Sequence, residues 1–122
     1  HCTGGYPTPP QNMQFNKILE IGTVLGSVIP TMGVSSHCID PHVVASSVLY
    51  SCETFEVHYD LDDRKGIEAP HSYIGETFQT LIKYANLLKQ AIRHNGLDDL
   101  DKMARKSYRR DSSDWLRPII QG

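Results

Sequence analysis

The sequence predicts an α/β fold built around a β-α-β unit, and three observations predict it. Val28-Ile29-Pro30-Thr31-Met32-Gly33-Val34 and Thr54-Phe55-Glu56-Val57-His58-Tyr59 are apolar runs of strand length. A segment of helix length, residues 41–51, lies between them. Each run opens into a histidine at its carboxyl end, His37 and His58, and the offset of 21 positions from one to the other is the spacing of one strand-helix-strand repeat. Strands joined by such a crossover are parallel and adjacent.

His1-Cys2-Thr3-Gly4-Gly5-Tyr6-Pro7-Thr8-Pro9-Pro10 holds three prolines and two glycines, so it is neither helix nor central strand but a shaped loop. From Asn12 to Gly26 the apolar positions Met13, Phe15, Ile18, Leu19, Ile21, Val24 and Leu25 are mostly helical in period, and Gly26 stops them. The first strand then runs into Ser35-Ser36-His37. Asp40 is a candidate N-cap and Pro41 sits at the first helical position of the crossover. After the second strand and Asp60-Leu61-Asp62-Asp63, the residues Phe78, Leu81, Ile82, Ala85, Leu88 and Ile92 form an apolar stripe, with Gly96 as its stop. A helix after the last strand is what an α/β barrel expects. From Leu97 onward charge replaces pattern, which predicts a short helix and a loose end.

Neighbouring parallel strands lie roughly 4.8 Å apart. Imidazoles leaving equivalent strand ends can therefore converge on one ion at about 2.0–2.2 Å. Either histidine taken alone reads rather as a polar cap over a strand end, and it is the two together that favour the ligand reading.

The chain has 122 residues, net charge −2 and 39% hydrophobic residues, an ordinary soluble composition for one domain. No apolar stretch approaches the 18 or so residues of a membrane helix and no secretory signal opens the chain, so a cytoplasmic protein is expected. Cys2, Cys38 and Cys52 follow no metal or disulfide spacing, which fits thiols in a reducing compartment, with Cys38 a buried bystander beside His37. The basic Arg105-Lys106-Ser107-Tyr108-Arg109-Arg110 carries only four positive charges, a weak footprint for nucleic acid, and reads as a solvated face or boundary segment. Asp60, Asp62 and Asp63 resemble a cation-binding cluster, but Arg64-Lys65 after them favours a solvated loop. His42, His71 and His94 read as surface or helix histidines without a role. There is no phosphate-binding Gly-rich loop and no solenoid repeat.

Three motifs occur in order: His1-Cys2-Thr3-Gly4-Gly5-Tyr6-Pro7-Thr8-Pro9-Pro10, Gly33-Val34-Ser35-Ser36-His37 and Phe55-Glu56-Val57-His58-Tyr59. They resemble the last three strand ends of the N-acetylneuraminate (sialic acid) synthase family, whose patterns there are roughly H-C-x-x-x-Y-P-x-P, G-x-S-D-H and E-K/R-H-F. The resemblance extends to about residue 107, where Arg105-Lys106-Ser107 looks like the R-K/R-S that introduces the family's linker to an antifreeze-like domain. It implies that residues 1–104 are the carboxyl-terminal part of a (β/α)8 TIM barrel, its last two to three βα units. Residues 105–122 would then be linker or tail, without the antifreeze-like domain.

The same resemblance implies condensation of phosphoenolpyruvate with N-acetylmannosamine or a related hexosamine, giving a nine-carbon sugar acid and phosphate. Carried over residue by residue, His37 and His58 would ligate a divalent metal, Mn or Mg, and Glu56 would activate the water that attacks before phosphate leaves. Ser35 would contact phosphoenolpyruvate, Tyr6 would line the sugar pocket, and Glu68, near the Asp of the family's G-P-D-H motif, would hold a sugar hydroxyl. The chain departs from the pattern at Ser36 (Asp in the family), Val57 (Lys or Arg), Gly4 (commonly Asn) and Ala69 (the His of G-P-D-H). Those departures motivate an alternative, a non-catalytic metal- or sugar-binding remnant. A third possibility is an unrelated α/β domain whose histidines are structural caps.

A complete barrel takes about 250 residues, and the chain begins inside what reads as the end of an element, so it is expected to be a fragment. Two strands and three helices would leave a sheet edge and the inner barrel face uncovered. The chain is therefore expected to need the missing barrel half, a partner or self-association.

Overall fold

Two strands, β1 (Met32–Ser36) and β2 (Cys52–Val57), pair in parallel in the computed structural model, as their crossover requires. The structure describes residues 1–61 and 66–92, together with the backbone of residues 108–110 and 116–118. From Gly33 onward each β1 residue pairs with the one 21 positions later, ending with Ser35 opposite Glu56 and Ser36 opposite Val57. His37 and His58 continue that offset, one residue past the last pair. The first strand starts at Met32 and not at Val28. The Val28 and Ile29 N–H groups are spent on the Leu25 carbonyl, and Pro30 has no N–H to give a ladder.

Gly33 is a glycine because β2 passes too close for a side chain. A Cβ there would lie 2.1 Å from Thr54 Oγ1 and 3.1 Å from the Thr54 carbonyl oxygen. Two further extended segments join in parallel. Cys2 bridges Ser35, whose N–H donates to the His1 carbonyl at 2.9 Å. Tyr73 bridges Tyr59, donating to the His58 carbonyl at 2.7 Å and accepting from the Asp60 N–H at 2.8 Å.

Period-two alternation splits the sheet into two faces. Val34 and Ser36 are buried, and the core gathers Ile18, Cys38, Val44, Val48, Cys52, Tyr73 and Leu81. Gly33, Ser35, Thr54 and Glu56, with His1, Val34 and Phe55, line an open depression of about 500 Å³.

The helices cover the buried face. α1 (Asn16–Leu25) begins four residues later than the period predicts, because Gln14 takes a left-handed φ of 49° that no helix continues through. Its stop at Gly26 is as expected, and a Cβ there would meet the Gly22 carbonyl oxygen at 2.3 Å.

Asp40 caps α2 (Pro41–Ala45), accepting from the His42 and Val43 N–H groups at 2.9 and 3.3 Å. Desolvation opposes ionisation of the Asp40 carboxyl, but these N–H donors and His42 hold it below its ordinary range. The single helix expected over 41–51 instead tightens into a 3₁₀ turn, Ser46–Tyr50. Ser46 and Ser47 donate from their hydroxyls to the Val43 and Val44 carbonyls at 2.6 and 2.8 Å, competing for acceptors the helix would use.

α3 (Gly75–Ala91) starts where Thr77 Oγ1 accepts from the Ile74 N–H at 3.0 Å and donates to the Ile74 carbonyl at 2.9 Å. Only the seam of its stripe is covered. Leu81 and Ala85 are buried, whereas Phe78, Ile82 and Ile92 stay exposed because the helix packs on α2 and the 3₁₀ turn along one line. No helix among the described residues is long and apolar enough to cross a membrane.

The chain separates into two units, His1–Ile92 and Arg93–Gly122. In the second, β3 (Tyr108–Arg110) pairs antiparallel with β4 (Leu116–Pro118). Within the segment expected after Leu97 to be a short helix and a loose end, residues 108–110 and 116–118 are strands, and the rest of that segment lies outside the described residues. Gly96, His94, Arg105-Lys106-Ser107 and the Asp62-Asp63-Arg64-Lys65 run lie outside the described residues.

Candidate functional site

The site grows from the two strand ends. His37 is held from both sides: its carbonyl accepts from the Thr8 N–H at 3.0 Å, and its Nδ1 faces the Thr3 carbonyl oxygen at 3.2 Å. A carbonyl only accepts, so Nδ1 carries the proton and the lone pair of the neutral ring lies on Nε2. The proline- and glycine-rich loop thus wraps over the end of β1. It lays the Tyr6 ring on His37 with centroids 4.0 Å apart, and Tyr6 stays exposed to solvent.

The segment after β2 supplies the rest. Pairing of Tyr73 beside His58 brings the 3₁₀ turn Ala69–His71 back over the strand end. Residues three apart eclipse in such a turn, so Glu68 and His71 project to the same side. Ser72 Oγ donates to the Glu68 carbonyl at 2.7 Å and secures the turn. Glu68 Oε2 then lies 2.8 Å from His58 Nδ1 and against His71 Nε2. The His71 hydrogen bond first, then the nearby imidazoles, hold the Glu68 carboxyl below the ordinary carboxylate range against a smaller desolvation effect.

Three imidazoles and one phenol therefore share the mouth. His37–His58 and His58–His71 centroids are 5.0 Å apart, His37–His71 6.0 Å, and Tyr6–His71 5.1 Å. His71 is 7% exposed and faces Tyr6, His37 and His58, so it is not the surface or helix histidine its sequence context indicates. The imidazole missing at Ala69 is present two positions later. The signal for it was Glu68-Ala69-Pro70-His71 itself, a proline-containing turn with an acid and a histidine three apart.

Ser35 and Glu56 form their own pair on the open face, two residues before His37 and His58, with Ser35 Oγ donating to Glu56 Oε1 at 2.9 Å. Among the described residues, the donors that converge for a cation are those of His58, Glu68 and His71, all within 4.8 Å of one another. His37 stands beside this set and outside it. Two imidazoles and a carboxylate form a donor set suited to a divalent transition ion.

Cys38 and Cys52 are buried, and burial pushes both thiols up, away from the thiolate a nucleophile needs. Burial likewise raises the Tyr73 hydroxyl, which has no hydrogen-bond partner among the described residues.

The model of the NeuB family matches residues 1–96. No curated protein matches the chain. Among solved structures, it is similar to an N-acetylneuraminic acid (sialic acid) synthetase from Leptospira borgpetersenii crystallised with citrate, at 22% identity and a TM-score of 0.69 over 91% of this chain and 40% of that one. It is also similar to a spore coat polysaccharide biosynthesis protein E from Chromobacterium violaceum, at 18% identity and a TM-score of 0.64 over 88% of this chain and 34% of that one. The chain thus spans between a third and two fifths of the length of these structures.

Proposed function

Because the chain belongs to the NeuB family, we propose that it forms the carboxyl-terminal part of a sugar-acid synthase barrel. The reaction is condensation of phosphoenolpyruvate with N-acetylmannosamine or a related hexosamine, with release of phosphate. The carrying observation is the ring cluster of Tyr6, His37, His58 and His71 at the carboxyl ends of parallel strands, where barrel enzymes build their sites.

His37 and His58 are the proposed ligands of a divalent cation, Mn or Mg, which when bound polarises the acceptor's carbonyl. Tyr6 lines the sugar pocket. Ser35 orients Glu56 by its hydrogen bond and faces the bound phosphoenolpyruvate. The Glu56 carboxylate takes a proton from the water that adds to the oxocarbenium-like carbon before phosphate leaves. Glu68 offers the Oε1 not engaged by the imidazoles to a sugar hydroxyl. In a barrel the open face of Gly33, Ser35, Thr54 and Glu56 is the inward one, so the remaining barrel strands, or a second copy, complete it. The protein works in the cytoplasm.

A second reading, a metal- or sugar-binding remnant, is favoured by Ser36. It stands where the resemblance expects Asp, is 1% exposed, and its Oγ accepts from the Cys38 N–H at 3.1 Å, a structural task.

Calorimetric titration of Mn²⁺ into the full chain and its His37→Ala variant, with and without phosphoenolpyruvate, separates the two. Binding that tightens with phosphoenolpyruvate supports the synthase, since coupling between two ligands of one site is reciprocal. Binding indifferent to phosphoenolpyruvate supports the remnant.

A further inference from the structure

We infer that His71 is a positioning residue of the acceptor pocket: it pins the Glu68 carboxylate so that Oε1 is presented, already oriented, to a hydrogen-bond donor of the sugar, a hydroxyl or an amide N–H. The inference rests on the proposed function in taking the mouth as the acceptor's site. It adds to that reading the residue that aims Glu68.

Three observations carry it. First, the two carboxylate oxygens have different tasks. Glu68 Oε2 faces His58 Nδ1 at 2.8 Å and also His71 Nε2. An ionised carboxylate only accepts, so both ring nitrogens donate to that one oxygen. Oε1 is engaged by neither imidazole, and the ligand group it takes must itself carry a hydrogen.

Second, one end of the His71–Glu68 bond is fixed and the other is not. The His71 side chain is 9% exposed and that of Glu68 57% exposed, so the imidazole is the anchor and the carboxylate is what it holds. The anchor is built by the turn. Residues three apart eclipse there, the His71 N–H donates to the Glu68 carbonyl at 3.1 Å, and Ser72 Oγ donates to the same carbonyl at 2.7 Å. Just beyond, the Tyr73 N–H ties the segment to the His58 carbonyl at 2.7 Å. A glutamate in open solvent samples many rotamers, and a ligand that needs one of them loses affinity to the ordering. Here the fold orders the side chain before the ligand arrives.

Third, the anchoring ring is confined. Tyr6, His58 and His37 stand edge-on around it, with centroids 5.1, 5.0 and 6.0 Å away. One imidazole thus touches both residues proposed to meet the sugar, Tyr6 and Glu68.

The test is steady-state kinetics of the polypeptide that carries this chain and of its His71→Ala, His71→Gln and Glu68→Ala variants, with N-acetylmannosamine and phosphoenolpyruvate varied in turn. His71→Ala should raise KM for the sugar about two- to tenfold, the factor for ordering one rotamer-rich side chain. The loss should fall on KM more than on kcat, and KM for phosphoenolpyruvate should stay within about twofold, as for sites that do not couple. His71→Gln keeps an N–H donor near the place of Nε2 and should restore most of the affinity. In a Glu68→Ala background His71→Ala should add nothing, because no carboxylate is left to aim. A second measurement needs no change at the buried histidine. In the ¹⁵N-histidine-labelled protein, His71 should show a hydrogen-bonded Nε2–H at low field that is lost in Glu68→Ala, a substitution at an exposed side chain.

An unchanged sugar KM in His71→Ala, equal losses in His71→Ala and His71→Gln, additive losses with Glu68→Ala, or an Nε2–H signal indifferent to Glu68→Ala would each overturn the inference and leave the proposed function standing. A wild type that turns over no hexosamine with phosphoenolpyruvate would strike the proposed function, and the inference with it.

Discussion

Substituting Gly33 with alanine tests the strand register on which the whole site depends. The new Cβ would sit 2.1 Å from Thr54 Oγ1, an impossible contact, and 3.1 Å from the Thr54 carbonyl, a tight one. Rotating the Thr54 side chain relieves only the first, at about 0.5–1.5 kcal/mol for a strained rotamer. The second needs the strands to move apart, so the total falls in the range of about 1–3 kcal/mol seen for overpacking. For a unit of 92 residues that lowers the melting midpoint by several degrees, since about 1 kcal/mol moves it by roughly 4–8 °C. Thermal and urea unfolding followed by circular dichroism measure it, and Thr54→Ala supplies the control. In the double variant the Oγ1 clash is gone, so the Gly33→Ala cost should shrink by at least about 0.5 kcal/mol, the coupling expected of touching residues. Equal costs in both backgrounds, or no cost in either, would mean that Gly33 does not face Thr54 and that His37 and His58 do not leave the sheet side by side.

Asp40→Ala should destabilise the first unit by about 0.5–2 kcal/mol, the worth of an N-cap, measured by urea unfolding. Because the folded Asp40 carboxyl lies below its unfolded value, its contribution is present above the ordinary carboxylate pKa and is lost as pH falls through the lowered one; the alanine variant should lack that step. Ser51 holds a left-handed φ of 68°, so Ser51→Gly should raise stability by about 0.5–1 kcal/mol, and a loss would show that the serine is not strained. Glu68 is likewise lowered, so its link to His58 and His71 persists above the ordinary glutamate pKa and breaks as pH drops through the lowered value. NMR titration of its side-chain carboxyl carbon should place that midpoint below a free glutamate's, and a midpoint at or above the free value would deny the contacts.

Much of the scaffold is legible in the sequence because it rests on local rules. The β-α-β order, the parallel pairing, the Asp40 cap, the Gly26 stop and the placement of His37 and His58 just past their strands all follow from period and punctuation. What the sequence hides is set by competition or by tertiary return. Pro30 and the Leu25 carbonyl shorten β1, two serines tighten the end of the crossover helix, and the α3 stripe is only half covered. His71 escapes notice because its place depends on Tyr73 pairing beside His58, a contact that no periodicity within residues 69–71 announces. The resemblance singles out Glu68 as a residue to hold a sugar hydroxyl, while its contacts with His58 and His71 depend on imidazoles that meet only in the fold.

The most direct measurement is phosphate release from phosphoenolpyruvate by the polypeptide that carries this chain, with Mn²⁺ present and N-acetylmannosamine supplied or withheld. The expected result is release that requires the sugar and falls at least about a hundredfold in Glu56→Gln, the lower range for loss of a general base. Release without the sugar, no release with any hexosamine, or full activity in Glu56→Gln would contradict a synthase site at these strand ends.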